Sequence, residues 1–143
     1  AHVLDYRQQS PEARLEFVRS LARERRRGNG ADVVLEASGV PSAVPEGLDL
    51  VRTRGRYVIP GQYSNSGGVE IQPQLITFKA LRITGSGQYH LGDLKAYLEF
   101  LRGAPDLQKR LARALSHRFA VSDANRAIHQ VEQGHFIKGC FAQ

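Results

Sequence analysis

Most of the reactive side chains in this sequence are scattered, which excludes several chemistries. The five histidines, His2, His90, His117, His129 and His135, form neither an HExxH pair nor a short Cys/His cluster, so no metal site is expected from this chain. Cys140 is the only cysteine, which excludes an internal disulfide and a zinc site of several thiolates. Ser38, Ser64, Ser66 and Ser86 lie in glycine-containing stretches, yet none occupies a G-x-S-x-G elbow, so serine-hydrolase chemistry is not expected. Two charged residues interrupt apolar runs. Glu36 reads either as a functional carboxylate with a raised pKa or as a group that pairs with a cation or reaches a sheet edge. Lys138 reads either as a phosphate contact or as an ordinary solvent-facing lysine, and the residues alone favour the second.

Where chemistry-bearing residues do gather, they are small. Three apolar runs end in the same way: Val33–Val34–Leu35–Glu36–Ala37–Ser38–Gly39, Arg56–Tyr57–Val58–Ile59–Pro60–Gly61–Gln62 and Leu81–Arg82–Ile83–Thr84–Gly85–Ser86–Gly87–Gln88. If the three strands are parallel, their small-residue ends emerge on one edge of one sheet, where open α/β sheets bind ligands. Small residues there let a ligand approach the backbone.

The elements that would position this edge alternate along the chain. His2 to Tyr6 reads as a short strand. Ser10, Pro11 and Glu12 open a helix as cap, first-turn proline and first-turn acid, and Gly28–Asn29–Gly30 stops it. Ala31 to Ala37 reads as a strand covered on both faces. Ser42 to Thr53 reads as the crossover helix, ended by Arg54–Gly55, and Arg56 to Ile59 as the next strand. That spacing favours a right-handed parallel βαβ unit. Tyr63 to Gly68 is a polar loop, Leu75 to Lys79 a helical turn, and Leu81 to Thr84 the third strand. A helix through Leu94, Tyr97, Leu98 and Leu101 ends at Gly103, and Leu107, Leu111 and Leu115 mark another. Ser122 caps a helix over Asp123 to Gln133, and Phe136 to Phe141 reads as the last strand.

Composition bounds the setting. The 143 residues suffice for one domain with a core, at 41% hydrophobic and 24% charged. No apolar run is long enough to span a bilayer, and AHVLDYRQQ lacks the basic-then-apolar order of a signal peptide. The chain opens without Met, inside what reads as a strand, and its lone cysteine fits a reducing, cytoplasmic setting. The net charge of +6 owes much to Arg23–Glu24–Arg25–Arg26–Arg27, where cations complement a helix end. No aromatic residues interleave with that run, so a nucleic-acid partner is not expected.

The order and spacing of these segments resemble the coenzyme domain of the zinc-containing alcohol dehydrogenases, within the medium-chain dehydrogenase/reductase superfamily. GADVVLEASG followed by a helix and GRYVIPGQ carries the likeness, with AHVLDYR before it and LRITGSGQYHLGDLKAYLEFL and HRFAVSDANRAIHQVEQGHFIKGCF after it. The Glu36–Ala37–Ser38–Gly39 version is closer to the polyol and threonine dehydrogenase branches than to the zinc-free quinone reductases. The resemblance implies an α/β fold: a partial Rossmann-type doubly wound parallel sheet lacking its first two strands. Residues 1–143 would be the C-terminal portion of an NAD(P)-binding domain, with about 117–143 returning toward an absent catalytic domain. It implies Ala37, Ser38 and Gly39 near the adenosine side of NAD or NADP. Backbone at Ile59, Pro60 and Gln62, and at Ser86, Gly87 and Gln88, would hold the nicotinamide, and Lys138 would contact the pyrophosphate.

The implied reaction is zinc-assisted hydride transfer between a small alcohol or carbonyl substrate and the cofactor, in a homodimer or tetramer. The sequence has no G-x-G-x-x-G, no residue that selects NAD over NADP and none of the family's zinc ligands, so no catalytic residue is assigned here. The chain alone is expected to be inactive and to have an unpaired central sheet edge. A zinc-free quinone or enoyl reductase and a non-catalytic α/β interaction module are the alternative readings.

Overall fold

The computed structural model describes residues 2–62, 64–136 and 138–142, which form two compact units, Ala1–Gln88 and Tyr89–Gln143. Tyr63 of the expected loop and Ile137 of the expected last strand lie outside the described residues, as do the terminal residues 1 and 143.

In the first unit, helix α1 spans Pro11–Glu24. Ser10 caps it as expected, its hydroxyl accepting from the Ala13 amide at 3.2 Å. The helix stops at Glu24, ahead of the glycines, and Arg26 already has a φ of 54°. Strand β1 is Ala31–Leu35, helix α2 Ala43–Leu50, strand β2 Val51–Ile59, helix α3 Gln74–Phe78 and strand β3 Arg82–Gly85. The three strands form one parallel sheet in the order β1-β2-β3.

Strand β1 ends at Leu35, short of Ala37, and is not covered on both faces, since Val33 and Leu35 are 50% and 67% exposed. Two further expectations change here. His2 to Tyr6 forms no strand, because no ladder partner faces it; instead Asp5 accepts from the Arg7 amide and the Gln8 amide bonds the Asp5 carbonyl. The crossover helix ends at Leu50, three residues before Thr53, and Val51 is already a fully buried strand residue. The cause is distant in sequence: the Lys79 ammonium donates to the carbonyls of Leu48 at 2.7 Å, Asp49 at 2.9 Å and Val51 at 3.0 Å. It occupies the helix C-terminus, where unpaired carbonyls and the dipole favour a cation.

The core of this unit is the contact between α2 and β2. Tyr57, Leu48 and Val51 are its largest fully buried side chains. The Tyr57 hydroxyl lies within hydrogen-bond reach of the carbonyls of Val44 at 3.1 Å and Ala43 at 3.3 Å. Burial, then the nearby carboxylates of Glu36 and Glu46, push its phenol up to about 12. A bidentate pair ties α1 to α2: Arg14 Nε meets Glu46 Oε1 at 2.6 Å and Nη2 meets Oε2 at 2.7 Å. The remaining Arg14 donor, Nη1, bonds the carbonyls of Tyr6 and Gln9, which orders the segment ahead of the helix.

The second unit holds helix α4 (Leu91–Arg102), helix α5 (Pro105–Ala114), strand β4 (Leu115–Phe119), helix α6 (Ala124–Glu132) and strand β5 (Lys138–Phe141). Its two strands are parallel. The periodicity of Leu107, Leu111 and Leu115 carried a helix one residue too far, for Leu115 opens β4. Ser122 lies inside a 3₁₀ turn, Val121–Asp123, and Asp123 takes the position ahead of α6. Phe119, at the end of β4, packs on Phe136 at a centroid distance of 5.4 Å.

Candidate functional site

The parallel register delivers the three small-residue ends to one edge of the first unit's sheet. Backbone bonds continue past the strands: the Glu36 amide donates to Val58, the Gly61 amide to Glu36 and the Ser86 amide to Ile59. Ala37, Ser38, Gly39, Ile59, Pro60, Gln62, Ser86, Gly87 and Gln88 therefore follow or close adjacent strands on that edge. Lys138 belongs to the other unit, where it opens β5 opposite Leu115.

Glu36 builds the first of these ends. It is only 5% exposed, and its carboxylate is nearly saturated with donors. Oε1 accepts from the Ser38 hydroxyl at 2.6 Å, the Ser38 amide at 2.7 Å and the Gly39 amide at 3.0 Å, while Oε2 accepts from Gln62 Nε2 at 3.1 Å. The reading of Glu36 as a carboxylate with a raised pKa is overturned. The Ser38 hydroxyl bond, followed by the amides and Gln62, outweighs desolvation and holds the carboxyl below its ordinary 4.5. Of the two other readings, the one that holds is that Glu36 reaches the sheet edge, where its partners are amides and a hydroxyl and not a cation. Glu36 is thus the keystone of the turn and stays ionised.

Two glycines let the neighbouring ends touch. Gly39 has a φ of 73°, and a Cβ there would meet the Gly61 carbonyl oxygen at 2.8 Å. A Cβ on Gly61 would meet Glu36 Oε2 at 2.6 Å and the Gly39 nitrogen at 2.8 Å. The Gln62 side chain closes the arrangement, reaching Glu36 and the Val40 carbonyl, both at 3.1 Å. On the third end, no atom of the described residues lies within 4 Å of a Cβ built at Gly85 or Gly87, which leaves that backbone free of close neighbours among them. A cleft of about 600 Å³ opens beside the tips, lined by Leu35, Ala37, Ser38, Val40, Arg14 and Glu46 among others. That volume suits a small ligand or part of a cofactor.

Sequence reasoning found the tips and missed what fixes them. The sequence assigns Gln62 a role through its backbone alone, and nothing local signals the two acceptors that its side-chain amide meets. The Arg14–Glu46 pair spans 32 positions and shows no periodicity that a sequence reading could use. The histidines serve as ring partners or surface groups: His2 stands edge-on to Phe17, and His117 stacks on Phe136. Among the described residues no group of three or more His, Cys, Asp or Glu side chains could hold a metal ion.

The family model of the zinc-binding dehydrogenases matches residues 1–103. The chain is 35% identical to 5-exo-hydroxycamphor dehydrogenase of Pseudomonas putida over 131 residues, which is 90% of this chain and 34% of that enzyme. It therefore spans about a third of the length of that relative. In fold it is similar to an alcohol dehydrogenase of Thermotoga maritima, with a TM-score of 0.83 at 23% identity, over 98% of this chain and 37% of the other. An alcohol dehydrogenase of Escherichia coli, complexed with the cofactor NADH, superposes with a TM-score of 0.59 at 23% identity, over 79% of this chain and 31% of the other.

Proposed function

The chain belongs to the zinc-binding dehydrogenase family, and we propose that it supplies the nicotinamide-dinucleotide side of an oxidoreductase acting on alcohols or polyols. The observation that carries this reading is the shared edge of three parallel strands, closed in backbone contact at Gly39 and Gly61 and, among the described residues, open at Gly85 and Gly87. A flat cofactor needs such a surface of small residues and fixed amides. In this reading Ala37, Ser38 and Gly39 take the adenosine side. The backbone of Ile59, Pro60 and Gln62, with Ser86, Gly87 and Gln88, orients the nicotinamide, and Lys138 meets the pyrophosphate. NAD and NADP are both accommodated by this assignment.

When bound, zinc supplies Lewis-acid polarisation of the substrate oxygen. In this reading the zinc ligands belong to a catalytic domain other than this chain, and no catalytic step is assigned to the residues here. Two features of the sheet fit a part of a larger assembly. Among the described residues strand β1 is paired only with β2, and its Val33 and Leu35 are 50% and 67% exposed. Strand β3 is likewise paired on one side only among the described residues, which suits a homodimer or tetramer built through Leu81–Thr84 and its surroundings. Residues 117–143 are assigned to the return toward a catalytic domain, and the lone cysteine suits a cytoplasmic setting.

The division of labour has a direct assay. The chain alone is expected to give no alcohol-dependent formation of NADH or NADPH, followed by absorbance. Turnover by the chain alone would overturn the assignment of the hydride step to residues elsewhere.

A further inference from the structure

The start of β2 carries an irregularity that gathers positive charge. Ala31 pairs with Val51, but Val33 pairs with Arg56, so Arg52 to Gly55 bulge out of the ladder. Arg54 sits at a φ of 58°, its amide held by the Lys79 carbonyl at 2.6 Å. Gly55 is required beneath it, since a Cβ there would meet Val51 Cγ2 at 2.4 Å and the Arg52 oxygen at 2.8 Å. After the bulge, Arg56 lies directly opposite Arg82 of β3. Arg52, Arg54, Arg56 and Arg82, with Asp32, line a cleft of about 520 Å³.

The charges in this cleft do not balance. Asp32 is its one carboxylate, and Arg52 Nε already occupies it at 2.7 Å. Arg54, Arg56 and Arg82 have no carboxylate partner among the described residues. Like charges facing each other across adjacent strands destabilise a sheet, and strands stand only about 4.8 Å apart. A tetrahedral oxyanion between two such guanidiniums would turn that repulsion into charge-assisted, forked hydrogen bonds. The cluster lies toward the strand starts, at the end of the sheet away from Ser38, Gln62 and Ser86.

We propose that the Arg54–Arg56–Arg82 cleft binds an oxyanion of the phosphate class, free or as the phosphoryl group of a small molecule, at a site separate from the strand-tip edge. The test is calorimetric titration of the full chain with inorganic phosphate and, in a parallel arm, glycerol phosphate, each against chloride at matched ionic strength. Saturable binding of phosphate, lost by about tenfold or more in the Arg56→Gln/Arg82→Gln variant, is the expected result. Tighter binding of inorganic phosphate assigns the free ion, and tighter binding of glycerol phosphate assigns a phosphoryl group. The variant's thermal midpoint in chloride is expected to equal or exceed that of the parent, because the facing charges are gone. If the double variant does not fold, Arg82→Gln alone, at an exposed position on β3, gives the same readout. Equal heats from phosphate and chloride, or unchanged phosphate affinity in a folded variant, overturn the proposal. So does tight binding of a single-stranded oligonucleotide with no saturable binding of either small phosphate.

Discussion

Replacing Gly47 by alanine is expected to destabilise the chain by about 2 kcal/mol, although helix propensity alone favours alanine by about 1 kcal/mol. Gly47 lies in α2 against the fully buried ring of Tyr57. A Cβ there would stand 2.2 Å from the Tyr57 hydroxyl oxygen, 2.3 Å from Cζ and 2.7 Å from Cε2. These are ring atoms in a closed core, so the helix must lift or the ring must move. Either response loses the hydroxyl's donation to the carbonyls of Val44 or Ala43 as well as packing. Overpacking of this kind costs about 1–3 kcal/mol, occasionally more, and outweighs the propensity gain. Urea unfolding of the parent and Gly47→Ala chains measures the difference. A more stable variant would show that the contact is not as tight as described.

Removing the Glu36 carboxylate is expected to cost more, about 3 kcal/mol for Glu36→Ala, because the Ser38 and Gly39 amides lose a charged acceptor in a nearly closed site. Glu36→Gln keeps the shape and loses the charge, and should fall between the two. The pH dependence follows from the direction of the shift. The folded carboxyl titrates below its ordinary 4.5. The unfolded state therefore takes up the proton first on acidification. The stabilisation is fully present above about pH 4.5 and is lost as the pH falls through the lower, folded value. Stability measured against pH should fall more steeply on the acid side in the parent than in Glu36→Gln. Identical acid limbs would mean that Glu36 contributes no such term. The same variants should loosen the turn at Ser38 and Gly39, so the keystone of the fold and the shape of the proposed cofactor edge are tied to one side chain.

The strand tips were legible in the sequence because they obey local rules: an apolar run, then small residues, then a helix. The Ser10 cap and the stop of α4 at Gly103 were legible for the same reason. Glu36 was legible as an anomaly but not in its role, since its donors come partly from Gln62, 26 positions away. The end of α2 was missed because Lys79 sets it from 28 to 31 positions away. The apolar spacing of Val44, Leu48 and Val51 continues smoothly across that boundary. Strand β4 was hidden by the helical spacing of Leu107, Leu111 and Leu115, and only its pairing with β5 shows where the period changes. In each case a long-range contact decided what local pattern left open.

In the proposed function a nicotinamide dinucleotide lies across the three strand ends. Titration of the isotope-labelled chain with millimolar NADH, followed by amide chemical shifts, tests it residue by residue. Weak binding is expected, with shifts gathered at residues 37–39, 59–62 and 86–88. Shifts confined to Arg54, Arg56 and Arg82, or no shifts at the strand ends at all, would contradict it.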